Sequence, residues 1–555
     1  GLRMAEALAP RYHVVVANPP YMGGKGMNGP LGDFAKAKYP DSKSDLFAMF
    51  MERTLGMTLK RGMMAMINMQ SWMFLSSFEK LRGKLLSNGT LLTMAHLGER
   101  AFDSIGGAVV STTAFVLRSG SEPSRNGEYV RLVSGQSEAE KSSFLLQAVK
   151  KKTSEYLHRA SAEKYLTVPG SPITYWLTDE TFELFRTTEK LVEIFKPKVG
   201  LNTTDNGQFL RLWHEVSQSK AGYGYSNSEE AQKSGFKWFP YNKGGSYRRW
   251  YGNYDYFLNW GNDGHDIKSA IASDPAKQAG GRVVNEDCYF RPSLSWSLAG
   301  AKTFSVRFSP KGAVFDVGGS SIFPDESKAM CLSAYLCSSV SNYFMAAMNP
   351  TFNFQAGNVA ALPILPEAIN STEAAAKARV LIEAHKSDWD AYETSWDFTT
   401  LPLLSPDHRS GTLEATFARL RAHWAGMTEE MQRLEEENNR IFINAYGLQD
   451  ELTPEVPIEE ITLTCNPAYS IKGDMTDETR EERLLERTMK ELISYAIGCM
   501  FGRYSLDAPG LILANQGDTA QTYLDRIAEP TFAPDRDNVI PLFEEDWFAD
   551  DAYQR

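Results

Sequence analysis

The chain has 555 residues, 43 % hydrophobic and 12 % aromatic, with 58 Lys and Arg against 69 Asp and Glu for a formal charge of −11. At roughly 150 residues per domain this length predicts three or four domains of an ordinary globular protein. It excludes a disordered or collagen-like chain, and the acidic balance argues against a protein that coats nucleic acid along its whole surface.

No apolar run is long enough to span a membrane, and the first residues do not read as a charged-then-apolar leader. Neither secretion nor membrane insertion is expected. Cys288, Cys331, Cys337, Cys465 and Cys499 form no Cys-x-x-Cys pair and have no His set at zinc-ligand spacing. They predict free thiols in a reducing cytoplasm, with no metal site.

Tyr12 to Ala17 reads as a buried strand and Leu46 to Leu59 as a helix by its apolar spacing. After the Arg61-Gly62 turn, Met63 to Met69 reads as a strand, about Leu75 to Leu86 as a helix, and Leu91 to Leu97 and Thr112 to Leu117 as strands. Residues 119 to 165 turn polar, as a connection plus a helix would. The next stretch, to about residue 365, is rich in Gly, Ser and aromatics, with short alternating runs at Thr303 to Phe308 and Ala313 to Val317. Helical periodicity takes over at Leu413 to Trp424, Glu429 to Tyr446 and Glu478 to Gly502, before an acidic stretch at residues 544 to 551. The expected fold is α/β: a partial doubly wound, Rossmann-like sheet in 1–150, an α+β domain in 151–370, a helical spacer in 371–450 and a helical domain in 451–555.

The first strand runs directly into Asn18-Pro19-Pro20-Tyr21. In open α/β sheets ligands bind beyond the carboxyl ends of strands, so this tetrapeptide stands where chemistry is done. An exocyclic base amine is a poor nucleophile because its lone pair is delocalised into the ring. The Asn18 carbonyl and the backbone carbonyl of Pro19 can accept both amine hydrogens, the prolines hold these acceptors rigid, and Tyr21 can stack on a base swung out of the duplex. The competing reading is a proline turn with Tyr21 as core. Asn466-Pro467-Ala468-Tyr469, after a weak strand at Ile461 to Thr464, and Asn349-Pro350-Thr351-Phe352 read as such turns.

A second element follows the strand at Met63 to Met69: Gln70-Ser71-Trp72-Met73-Phe74-Leu75-Ser76-Ser77-Phe78 places Trp72 and Phe78 at a strand-to-helix corner. With Asn18-Pro19-Pro20-Tyr21 and Lys43-Ser44-Asp45-Leu46-Phe47, this spacing resembles the gamma-class N6-adenine DNA methyltransferases, and most of the chain is similar to their branch in BREX phage-defence systems. The resemblance implies transfer of a methyl group from S-adenosylmethionine to N6 of a flipped adenine in double-stranded DNA. Tyr21 and Phe78 would then sandwich the base and Trp72 support the corner. It further implies other BREX proteins, and a phage inhibitor that mimics DNA, as partners. The family places its glycine-rich cofactor motif upstream of the catalytic strand, and only seventeen residues precede Asn18. No cofactor-binding residue is therefore assigned, and a C-terminal part of a longer protein, inactive alone, is expected. Residues 22 to 32 are read as a lid over the base or a plain flexible loop.

Two stretches, Ala231 to Tyr254 and Tyr289 to Phe315, contain no acidic residue. Their cations Lys237, Lys243, Arg248, Arg249, Arg291, Lys302, Arg307 and Lys311, interleaved with aromatics, are the candidate DNA contacts. The alternative is a core of aromatics with a solvated charged face. His13, His96 and His214 are given no role. Two rival functions stay open: N4-cytosine methylation, which presents the same amine chemistry, and a DNA-recognition or docking module without chemistry.

Overall fold

The computed structural model describes residues 2–103, 110–151, 153–299, 303–351, 353–536 and 539–540. Lys302 and the acidic stretch at 544–551 lie outside them. The chain divides into two compact units, Gly1–Glu189 with Phe344–Thr351, and Lys190–Tyr343 with Phe352–Arg555.

The first unit is built on a six-stranded mixed sheet in the order β1-β2-β4-β3-β5-β6. The strands are β1 (Tyr12–Ala17), β2 (Thr58–Met69), β3 (Gly89–Gly98), β4 (Thr112–Ser119), β5 (Asn126–Arg131) and β6 (Leu157–Ser161). β1 pairs parallel to β2, with Val16 beside Ala65, and β4 runs antiparallel to both β2 and β3. The carboxyl ends of β1, β2 and β3 therefore open at one edge of the sheet. The α/β expectation holds.

Alternation along the strands sorts the two faces. Met64, Met66, Met94, Phe115 and Leu117 are buried, and the helices Leu46–Met57 and Glu79–Asn88 pack against β2 and β3. On the opposite face Val14 and Val16 are 58 % and 73 % exposed. A groove of about 770 Å³ crosses this face from Asn18, over Ala65 and Ala114, to Leu145 and Val149 of the helix Glu138–Lys150.

The polar segment expected to be a connection plus a helix contains that helix and also two strands, β5 and β6. Their polar character comes from exposed charges: Glu128 of β5 and Arg159 of the edge strand β6 pair across the ladder at 3.0 Å.

The second unit holds a four-stranded sheet of Val314–Phe315, Trp238–Asn242, Tyr256–Asn259 and Leu210–Leu212, and a three-stranded one of Arg307–Ser309, Ser293–Ser295 and Ser321–Ile322. Phe239, Tyr241, Trp260, Tyr289, Phe290 and Phe315 form its main aromatic core. The two helical runs expected at 413–424 and 429–446 are one helix, Leu413–Tyr446. Gly426 at the expected break costs about 1 kcal/mol relative to Ala, less than the burial of Trp424, Met431 and Leu434 on either side supplies. No strand forms at 461–464; Asn466 instead caps the short helix Pro467–Ser470. No described helix is long and apolar enough to cross a membrane, and all five cysteines are buried and unpaired.

Candidate functional site

β1 delivers Asn18 to the open edge of the sheet, at the mouth of the groove. Asn18 is exposed and its side-chain amide bonds to no other described residue, while Pro19 is buried and anchors the turn. Tyr21 is half-buried, its ring meets Phe47 edge-on at 6.3 Å, and partial burial pushes its hydroxyl pKa up.

The segment after Tyr21 is held rather than loose. Asp45 Oδ1 accepts from Met22 N at 3.0 Å and from Phe47 N at 3.3 Å, so one carboxylate caps the helix Leu46–Met57 and pins the tail of the tetrapeptide. Leu46 N donates to Met22 O and Gly24 N to Ser44 O, each at 3.0 Å. The lid or loop expected at 22–32 is thus a short 3-10 turn, Gly24–Gly26, and the start of the helix Gly29–Lys38, capped by Asn28. Asp45 lies in the Lys43 to Phe47 segment that the sequence singles out, but no role is assigned to it there; an acid directly before an apolar helical run is the signal of this cap.

The expected base sandwich needs correction. Phe78 is only 3 % exposed, and its ring leans on Phe47 at 5.6 Å, so it offers no face to a base opposite Tyr21. Trp72 is also buried, 5.0 Å from Phe115, and braces the corner from within rather than stacking on a substrate. The corner is fixed by Arg82, whose buried guanidinium donates to Trp72 O at 3.0 Å, Leu75 O at 2.7 Å and Gly170 O at 2.7 Å. Burial lowers its pKa to about 10, which leaves it protonated at neutral pH. Near the end of β2 Asn68 interrupts its apolar face, fully buried and with no protein partner for its amide among the described residues. His96 is structural: it bonds Tyr175 Oη at 2.9 Å and Gln70 Oε1 at 2.7 Å, and burial, then Arg131 and Lys141, lower its pKa to about 3.

Three candidate DNA contacts are also corrected. Arg249 is 5 % exposed and paired with Glu435 and Glu460. Arg248 donates to Thr462 O and Thr464 Oγ1, both at 3.1 Å, with its guanidinium 4.9 Å from the Trp389 ring centroid. Arg307 is buried, bonds Ser297 Oγ at 3.2 Å, and burial lowers its pKa to about 10. None of the three presents its charge to a phosphate. Lys237, Arg291 and Lys311 are exposed, and Lys243 is half-buried, 3.9 Å from Asp316.

Comparison with known proteins bears on this geometry. Residues 6–102, which contain β1, the tetrapeptide and the Trp72 corner, match the Eco57I restriction-modification methylase family. The chain is 38 % identical over 564 aligned residues to the adenine-specific methyltransferase PglX of Lacticaseibacillus casei (strain Zhang), covering 99 % of this chain and 44 % of that protein. It is equally identical to the adenine-specific methyltransferase BrxX of Escherichia coli O9:H4 (strain HS), over 100 % of this chain and 44 % of that one. End to end, the chain is similar to part of the PglX and BrxX adenine-specific methyltransferases. It spans less than half the length of either relative. Among solved structures, the type IIL restriction-modification enzyme MmeI in complex with DNA aligns with a TM-score of 0.43 at 14 % identity, over 86 % of this chain and 57 % of MmeI. A nuclease-deletion mutant of the type ISP enzyme LlaGI with a DNA substrate mimic aligns with a TM-score of 0.41 at 11 % identity, over 74 % and 38 %.

Proposed function

We propose that this chain supplies the amine-gripping corner and DNA-recognition regions of an adenine-N6 DNA methyltransferase acting in BREX phage defence. The observation that carries the reading is an Asn18 amide left exposed and without a protein partner among the described residues at a rigid strand end, beside a half-exposed Tyr21. The Asn18 and Pro19 carbonyls accept the two hydrogens of N6, which turns the nitrogen lone pair out of conjugation with the ring. Tyr21 stacks on one face of the flipped adenine. Asp45 and Arg82 hold the two loops that shape this edge.

S-adenosylmethionine supplies the methyl group. The described residues do not make a cradle for it: Gly24 is bonded to Ser44, and the turn Gly24–Gly26 presents no phosphate- or ribose-binding loop. No residue among those described is assigned to it; the outer edge of β1 is unpaired among the described residues, and Val14 and Val16 are exposed. In this reading 1–150 is catalytic, and 151–370 binds double-stranded DNA through Lys237, Lys243, Arg291 and Lys311. The helical regions 371–450 and 451–555 meet other BREX proteins or a phage inhibitor that mimics DNA. Five buried, unpaired thiols accord with a cytoplasmic setting.

The test uses the complete enzyme. Asn18→Ala is expected to abolish methylation of duplex DNA with the fold intact, and full methylation by that variant would rule the proposal out. Nucleoside analysis of the product should show N6-methyladenine; N4-methylcytosine would assign the same grip to cytosine.

A further inference from the structure

A pocket of about 280 Å³ lies wholly within the second unit. Its wall is four aromatic rings in series: Tyr251 to Tyr254 at 5.1 Å and 58°, Tyr254 to Trp396 at 5.7 Å and 53°, and Trp396 to Tyr223 at 6.0 Å and 54°. Each ring is tilted on the next, and all four line the pocket. Phe257, fully buried, backs it at 5.4 Å from Trp396 and 5.5 Å from Tyr223, so the rings cannot collapse inward.

The polar groups on this wall are partly committed. Tyr223 Oη donates to Gln218 Oε1 at 2.7 Å, which leaves the Gln218 NH₂ as a donor, and Tyr254 Oη donates to Phe308 O at 2.8 Å. Asp397, exposed, contributes acceptors, and the exposed ammonium of Lys311 belongs to the same lining.

We propose that this pocket takes up one unstacked nucleobase, stacked against the Trp396 and Tyr223 rings, with Gln218 and Asp397 reading its edge and Lys311 meeting its phosphate. Aromatic walls accept any base through its π-face, while a mixed donor and acceptor set distinguishes its edges. Aromatic cages with an acid also bind organic cations. Here a cation already occupies the acid side of the cage: Lys386 Nζ, which bonds Asp390, lies 5.5 Å from the Tyr251 ring and 3.9 Å from Asp397. A neutral heterocycle carrying an anionic phosphate complements what remains. The base comes either from a free nucleotide or from a DNA strand, and in both cases the site is separate from the amine grip at Asn18.

Binding to the 555-residue chain would be measured by equilibrium dialysis with deoxynucleoside monophosphates. A short single strand and its abasic counterpart would be measured in parallel. Binding of mononucleotides assigns the site to free nucleotides, and preference for the base-bearing strand alone assigns it to DNA. In either case Trp396→Ala should weaken binding by about tenfold or more, the range of one base–aromatic stack. Because Trp396 packs on Phe257, the exposed variants Asp397→Asn and Lys311→Ala provide the second reading. The first should change the order of preference among bases, and the second should weaken nucleotides but not nucleosides. Equal affinity for the base-bearing and abasic strands with no mononucleotide binding would overturn the proposal, as would displacement of the nucleotide by tetramethylammonium. None of these readouts depends on methylation.

Discussion

Asp45→Ala tests whether the grip depends on a clamp one helix away. In the structure one carboxylate oxygen accepts from Met22 N and Phe47 N. Losing the helix cap costs about 1 kcal/mol, and losing the second bond, which is exposed, up to about 1 kcal/mol more. A local destabilisation of up to about 2 kcal/mol corresponds to up to about 30-fold faster opening. Hydrogen exchange reads this directly at the Met22 and Phe47 amides, without requiring the whole chain to unfold in two states. Asp45→Asn keeps an acceptor in place and should leave exchange within about threefold of the parent, since Asn caps helices as well as Asp. In the complete enzyme Asp45→Ala should lower kcat, with Asp45→Asn restoring most of it. If the Met22 amide exchanged at the parent rate in Asp45→Ala, the clamp would have no energetic content and the reasoning from it would fail.

Two further outcomes follow from the charges. Lys237→Ala, Arg291→Ala and Lys311→Ala should each flatten the dependence of log Kobs for DNA on log salt by about 0.9 for each phosphate that the side chain neutralises, read from binding isotherms at several salt concentrations. His96 is held neutral in the fold, with a pKa of about 3 against an ordinary 6.5. Its contribution to stability is therefore complete above pH 6.5 and is lost as pH falls towards 3, with a slope of up to about 1.4 kcal/mol per pH unit. Denaturant midpoints measured across that window should fall with pH, and less steeply in His96→Gln.

The first four strands of the first unit were legible from their apolar residues; β1, expected to be buried, is the edge strand with Val14 and Val16 exposed, and β2 starts at Thr58, so the Arg61-Gly62 turn expected before it lies inside the strand. β5 and β6 were hidden because their exposed charges, Glu128 and Arg159 among them, read as loop. The candidate corner was legible in part. The tetrapeptide and the Trp72 turn stand where strand-end chemistry would put them, whereas the role given to Phe78 depended on depth, which spacing does not encode. The basic cluster misled for a related reason. Arg249 is neutralised by Glu435, distant in sequence, so an acid-free stretch of chain is not an acid-free region of space. Lys237, Arg291 and Lys311, from the same stretches, are exposed.

The two Asn-Pro-x-Tyr segments show what separates a site from a turn written in nearly the same letters. Asn466 is 2 % exposed; its Nδ2 donates to Ile458 O and Ile461 O at 2.8 Å each, and its Oδ1 accepts from Ala468 N at 3.1 Å. Every hydrogen-bonding atom of that amide serves the fold, and Tyr469 beside it is buried. Asn18 carries the same amide on a strand end, exposed and committed to nothing described. Asn466→Ala removes two hydrogen bonds, to carbonyls that each keep one backbone donor, and a helix cap, at a cost of about 2–4 kcal/mol. Asn18→Ala removes no such bond and should change stability by less than about 0.5 kcal/mol. Urea denaturation of the two variants should therefore separate them clearly, while methylation by the complete enzyme should fail only in Asn18→Ala once Asn466→Ala is assayed at a temperature where it is folded. A large loss of stability in Asn18→Ala would mean that its amide is spent on structure, which would remove the ground for placing the reacting amine there.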